Sequence, residues 1–173
     1  MKDLHRHNKR LQRVLRFNAA DLDANRNGQF SRRQRGQIKR ARLNELLIFI
    51  LICLVFTAFV LFSLLRDFSW ELLLASALMG VAGVVFGYEM TKRMRRFAND
   101  LDWGEVYQIE GTVKVEHLGG GSDDPDEFYL YVGGEKFKVS RRIYRAFKSK
   151  KGLRCRVFYT PNTRRVVAAE MIA

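Results

Sequence analysis

The chain has 173 residues and a net charge of +13, with 31 Lys and Arg against 18 Asp and Glu. That length, once two long apolar runs are set aside, leaves terminal segments that each hold at most one small module. Cys53 and Cys155 are the two cysteines; one lies in an apolar run and the other in a strand pattern, which excludes a disulfide framework and paired-Cys zinc spacing.

Residues 1–44 read as a basic helical arm. Residues 1 to 45 carry 13 Lys and Arg and only Asp3, Asp21, Asp23 and Glu45, a net of +9. Leu4, Leu11, Leu15 and Leu22 recur among the cations, a pattern that lays a basic amphipathic helix on an anionic leaflet or on another protein helix. His5 and His7, two residues apart, point to different helix faces and are expected in solvent.

Two readings compete over Asp23 to Gln34. The oxygen-bearing residues Asp23, Asn25, Asn27, Gln29 and Ser31, with Gly28 between them, follow the spacing of a calcium loop. Gln34 stands where that loop needs a bidentate carboxylate, and Arg26, Arg32 and Arg33 intrude. The competing reading is helix, turn, helix: Asn18 with Asp21 caps one helix, Asn27-Gly28 ends it, and Ser31 with Gln34 caps the next. Every residue then has a role without a metal, and no cofactor is expected.

Leu46 to Leu65 is twenty residues without a charge, roughly 30 Å of helix, matching the hydrocarbon core of a bilayer. A second apolar run, 72–88, follows after Arg66 to Glu71. The expectation is a transmembrane helical hairpin over 45–91, with spans 46–65 and 72–88 and a basic juxtamembrane linker over 92–103. Arg40 and Arg42 before it, and Lys92, Arg93, Arg95 and Arg96 after it, put both termini in the cytoplasm and the turn outside, in an inner (plasma) membrane. The first run begins too late and runs too long for a cleaved signal peptide. Ser76, Gly80, Gly83 and Gly87 make a stripe of small residues on the second span, suited to close packing on the first and, as an alternative, to a homo-oligomer. Neither span holds an ionisable group, which disfavours a transport pathway.

From 104 to 173 the period changes to two. Tyr107, Ile109, Val113 and Val115 mark a first strand, and Gly119 to Asp126 an acidic loop. Phe128, Leu130 and Val132 lead through Gly133-Gly134 to Phe137 and Val139, a hairpin signature. Ser140 caps a short helix carrying Ile143, Tyr144 and Phe147. Leu153 to Tyr159 and Arg165 to Glu170 complete five strands. The expected fold class is therefore α+β: the two-helix transmembrane hairpin plus a small five-stranded cytoplasmic β module, a curled sheet or an OB- or SH3-like barrel.

Lys136, Lys138, Arg141, Arg142, Arg145, Lys148, Lys150 and Lys151 cluster around that helix. With Tyr129 and Tyr131 they offer a nucleic-acid face; nearness to the bilayer favours anionic headgroups instead.

The order Asp21-Leu22-x-Ala24-Asn25-Arg26-x-Gly28-x-x-Ser31-x-x-Gln34, then two apolar runs, then Phe128-Tyr129-Leu130-x-Val132-Gly133-Gly134 and Arg156 to Asn162, resembles a group of uncharacterised bacterial two-pass membrane proteins. The resemblance implies architecture and no activity.

No catalytic constellation is legible: His5, His7 and His117 stand apart from any nucleophile, and no phosphate loop or His-Glu-x-x-His is present. The expectation is a non-enzymatic, membrane-anchored interaction or scaffold module that binds an anionic lipid surface and a protein partner. The alternatives are a membrane-tethered nucleic-acid binder and an accessory subunit of a larger membrane complex.

Overall fold

The computed structural model describes residues 2–65, 70–119 and 126–172, without the side chains of 2–4, 63–65, 70–73 and 76. The expected hairpin turn and most of the acidic loop lie outside the described residues. Five helices and six strands follow in the order α1 (Lys2–Leu15), α2 (Ala19–Arg26), α3 (Arg32–Leu65), α4 (Trp70–Trp103), β1 (Tyr107–Thr112), β2 (Lys114–Leu118), β3 (Glu127–Val132), β4 (Glu135–Val139), α5 (Arg141–Lys148), β5 (Arg154–Tyr159) and β6 (Val166–Met171). They divide into two compact units, residues 1–36 with 100–173, and residues 37–99.

This arrangement corrects the expected fold class. Among the described residues one helix stretch, Arg32–Phe62, is long and apolar enough to cross a membrane; a two-span hairpin is not borne out. Within the run 72–88 the side chains of Leu72, Leu73 and Ser76 lie outside the described residues. The stretch expected as a linker, 92–103, is helical to Trp103, because it contains neither Gly nor Pro to stop the helix.

The module has two three-stranded antiparallel sheets, ordered β1-β5-β6 and β2-β3-β4, in place of one five-stranded sheet. The strand read as continuous from Tyr107 to Val115 breaks at Val113. Gly111 explains the break: a Cβ there would lie 2.3 Å from the Gly133 backbone nitrogen. The two sheets meet at this glycine contact, and Val113 is fully buried beside it. Gly133 and Gly134 have φ of +58° and +90°, the left-handed pair that a two-residue hairpin requires, and they set Val132 opposite Glu135. Phe137, Phe147, Phe158, Leu130 and Val157 are fully buried and form the core.

The arm expected as a separate region is part of this unit. Its caps form as the sequence indicates. Asn18 Oδ1 accepts the Asp21 N–H at 2.8 Å and Asp21 returns the bond to the Asn18 N–H at 2.9 Å. Ser31 Oγ accepts the Gln34 N–H at 3.1 Å while Gln34 Oε1 accepts the Ser31 N–H, also at 3.1 Å. Such reciprocal capping satisfies donors that every helix start leaves open. Helix α1 then packs along β6. Leu11 is fully buried, and the Asn8 amide accepts the Met171 N–H at 2.7 Å and donates to the Met171 carbonyl. One side chain thereby takes the role of a neighbouring strand at the sheet edge.

A charged chain ties α2 to the same sheet. Arg26 reaches the buried Glu170 at 2.6 Å, Glu170 also meets Arg156 at 3.0 Å, and Arg156 pairs with Glu110. The hydrogen bond to Glu170 and its charge raise the Arg26 pKa further. At the end of α4, Asp100 is fully buried. It accepts from the backbone N–H groups of Asn162 (2.8 Å) and Thr163 (3.0 Å), from the Asn162 amide and from the Thr163 hydroxyl.

Candidate functional site

The cations singled out on α5 are brought together, and α1 joins them. Ser140 caps α5 by accepting the Ile143 N–H at 3.4 Å. The helix buries Ala146 and Phe147 and leaves Arg141, Arg142, Arg145 and Lys148 exposed. Burial of Leu11 and the bonds of Asn8 fix how α1 is rotated, so Arg6, Lys9, Arg10 and Arg13 are exposed. The helices touch, and at their junction His7 Nδ1 meets the ammonium of the buried Lys150. None of the eight exposed cations pairs with a carboxylate among the described residues. The result is a basic surface on two docked helices, with four exposed cations on each.

This face differs from the expected one in three respects. Lys150 is not part of it, because it is buried against His7, which is itself half-buried, while His5 is exposed. Leu11, in the leucine stripe of α1, is fully buried in a helix that packs on β6, so it is not available to insert into a leaflet. Tyr129, Tyr131, Lys136 and Lys138 lie on the other face of the β2-β3-β4 sheet. Helix α5 packs on the face bearing Phe128 and His117: the Tyr144 ring is 5.0 Å from Phe128, and His117 stacks on Phe128 at 4.7 Å. Successive residues of a strand alternate sides, so Tyr129 and Tyr131 point away from α5.

The tyrosine face is nearly balanced in charge. Lys114, Lys136 and Lys138 alternate with Glu116 and Glu127 across the register. Tyr129 donates to Glu127, Tyr131 to Glu116, and Lys138 pairs with Glu127. The bonds from Lys138 and Tyr129 hold the Glu127 carboxyl below its ordinary range, and the same bonding pushes both phenols up. Lys136 sits 3.8 Å from the centre of the Tyr129 ring. These rings are engaged within the sheet rather than left open as a stacking platform.

The calcium-spaced residues are dispersed. Asp23 is exposed and pairs with Arg26 at 3.5 Å. Asn25 is buried inside α2, Asn27 is the C-cap, and Gln29 bridges to Glu105 through its backbone. The Ser31 hydroxyl is spent between Asp21 and Gln34. Among the described residues, no group of three His, Cys, Asp or Glu comes together.

In the unit 37–99 the small-residue stripe is engaged in one place. A Cβ on Gly87 would lie 3.9 Å from the Phe49 ring, while one on Gly80 or Gly83 would meet nothing within 4 Å. The Ser76 side chain lies outside the described residues. Of the flanking cations, Arg93 pairs with Glu45 at 3.0 Å; Arg40, Arg42, Lys92, Arg95 and Arg96 are exposed.

No family model, curated protein or solved structure matches this chain.

The contribution of α1 to the basic face was hidden in the sequence. Its exposed cations recur at helical spacing, but the docking of α1 on β6, in a unit where α1 also touches α5, joins residues 163 apart.

Proposed function

We propose that this chain is a non-enzymatic, membrane-anchored interaction module whose α1–α5 face binds anionic lipid headgroups. The observation that carries this reading is the set of eight exposed cations on two docked helices, none of them paired with a carboxylate among the described residues. Each such cation near an anionic leaflet contributes about 1 kcal/mol, and the effect is additive enough for a patch of this size to hold a surface. Helix α3 supports the anchor: Leu47, Leu51, Leu54, Val55, Leu61 and Phe62 are all more than half exposed, a display that water disfavours and lipid accepts. The Lys and Arg excess of residues 1–36 and 100–173, which form one unit, supports a cytoplasmic place for that unit.

A protein partner is assigned to the Tyr129–Tyr131 sheet face, since half-buried tyrosines amid balanced charges match the composition of a protein interface better than that of a polyanion site. Nucleic acid is the less favoured occupant of the α1–α5 face, because Tyr129 and Tyr131 lie on the other side of the sheet and are engaged within it.

Lysine acylation of the full chain in nanodiscs tests the lipid reading, with Lys9 reporting on α1 and Lys148 on α5. The expected result is that phosphatidylglycerol, but not phosphatidylcholine, protects both lysines, and that added salt reverses the protection. Equal reactivity in the two lipids would overturn the proposal.

A further inference from the structure

A second site lies apart from the basic face, where the turn after α2 meets the end of α4. An open cleft of about 520 Å³ is lined by Asn27, Gln29, Arg35, Trp103, Glu105 and Tyr107. Trp103 is 62% exposed and Tyr107 45%. The Tyr107 ring is held edge-on to Tyr159 at 6.2 Å, and Tyr159 in turn packs on Phe137 at 5.0 Å. Gly104 makes room for the cation: a Cβ there would stand 2.8 Å from Arg35 Nη2, and its φ of +65° is one that glycine adopts without strain.

Arg35 and Glu105 share this cleft, yet they do not pair with one another, and neither pairs with any other group among the described residues. An open cleft with one cation, one anion and two aromatic walls is complementary to a small zwitterion. A guanidinium binds a phosphodiester through paired N–H donors. An ammonium is attracted both by a carboxylate and by the faces of Trp and Tyr. Asn27 and Gln29 add amide donors and acceptors at the rim.

We infer that this cleft binds a zwitterionic phospho-amine, with its phosphate on Arg35 and its ammonium between Glu105, Trp103 and Tyr107. The chemistry is shared by a phosphatidylethanolamine headgroup and by a free phospho-amine such as glycerophosphoethanolamine.

The test uses the full chain carrying Trp70→Phe, in a maltoside detergent that has no phosphate, so that indole emission reports on Trp103. Glycerophosphoethanolamine is expected to shift the emission saturably. Glycerol phosphate and ethanolamine, the two halves, are each expected to bind at least about tenfold more weakly, because each forfeits one charge-assisted contact. Arg35→Ala and Glu105→Gln, both at exposed positions that tolerate change, should each weaken the zwitterion by about tenfold. Glu105→Gln should also erase its advantage over glycerol phosphate. No response to glycerophosphoethanolamine, equal binding of glycerol phosphate, or indifference to both variants would overturn the inference. Nanodiscs separate the two sources. If the lipid headgroup is the ligand, phosphatidylethanolamine alone shifts the emission and blocks the soluble probe. If a free phospho-amine is the ligand, those nanodiscs leave the soluble titration unchanged. An equal shift in phosphatidylglycerol nanodiscs would show mere nearness to lipid and would count against the site.

Discussion

The unit of residues 1–36 and 100–173 and the unit of residues 37–99 treat apolar side chains in opposite ways. In the first, Phe137, Phe147, Phe158 and Leu130 are fully buried; in the second, Leu54 is 62% exposed and Val84 74%. Similar residue types therefore do different work. One unit folds by removing apolar surface from water, whereas the other presents it to whatever surrounds it. The contrast teaches that the first unit carries its own core, while the second leaves much of its apolar surface exposed, which is what the proposed anchor rests on.

The strongest test of this contrast is a pair of truncations. Phe158→Ala should cost about 3–5 kcal/mol, comparable with the whole stability of a small domain, and should abolish the cooperative thermal transition of the first unit. Leu54→Ala should leave that transition where it is. If the two variants shifted it alike, the distinction between the units would fail.

Asp100→Ala is expected to have the next largest effect. It strips four hydrogen bonds from a fully buried carboxylate and should cost about 3 kcal/mol in denaturant unfolding, because charged acceptors contribute most and their donors are left without partners. Leu11→Ala should cost about 2–3 kcal/mol, at the low end for a buried leucine, because α1 can detach from β6 rather than leave a cavity. Its signature is local: faster hydrogen exchange at the Met171 amide, which Asn8 otherwise holds, and new reactivity at Lys150. A Leu11→Ala variant with unchanged exchange at Met171 would mean that the arm is not docked.

The smallest effect concerns thiol chemistry. Burial, followed by the nearby charge of Glu170, pushes the Cys155 thiol up to about 12, so at pH 8 about one thiol in ten thousand is thiolate. Maleimide should leave Cys155 unmodified at pH 8 until the first unit unfolds. The unfolded thiol ionises near its ordinary pKa. This residue therefore favours folding fully below that value, and its contribution fades as pH rises toward about 12. Rapid labelling of native Cys155 would contradict the buried position of β5.

The fold was legible wherever local chemistry decides it. Asn18 with Asp21, Ser31 with Gln34, Ser140, and the Gly133-Gly134 hairpin all act over a few residues, and each forms as its sequence indicates. What was not legible depends on distant neighbours. The alternation from Tyr107 to Val115 reads as one strand, and only the approach of Gly133 to Gly111 shows why it must break. The leucines of α1 read as a lipid-facing stripe, because β6, on which the helix packs and buries Leu11, lies more than 150 residues away. The candidate site was half visible. Arg141, Arg142 and Arg145 stood out by density, but strand alternation had to be combined with the packing of α5 to separate them from Tyr129 and Tyr131.

The central claim is that α1 and α5 act as one lipid-binding platform, and charge reversal on one helix read out on the other tests it most directly. Arg141→Glu, Arg142→Glu and Arg145→Glu together lie on the exposed side of α5 and should change stability by no more than about 0.5 kcal/mol each. In phosphatidylglycerol nanodiscs this variant should restore the acylation of Lys9 on α1 to the level seen in phosphatidylcholine. Persistent protection of Lys9 would show that the arm binds lipid independently of α5, and would contradict the account.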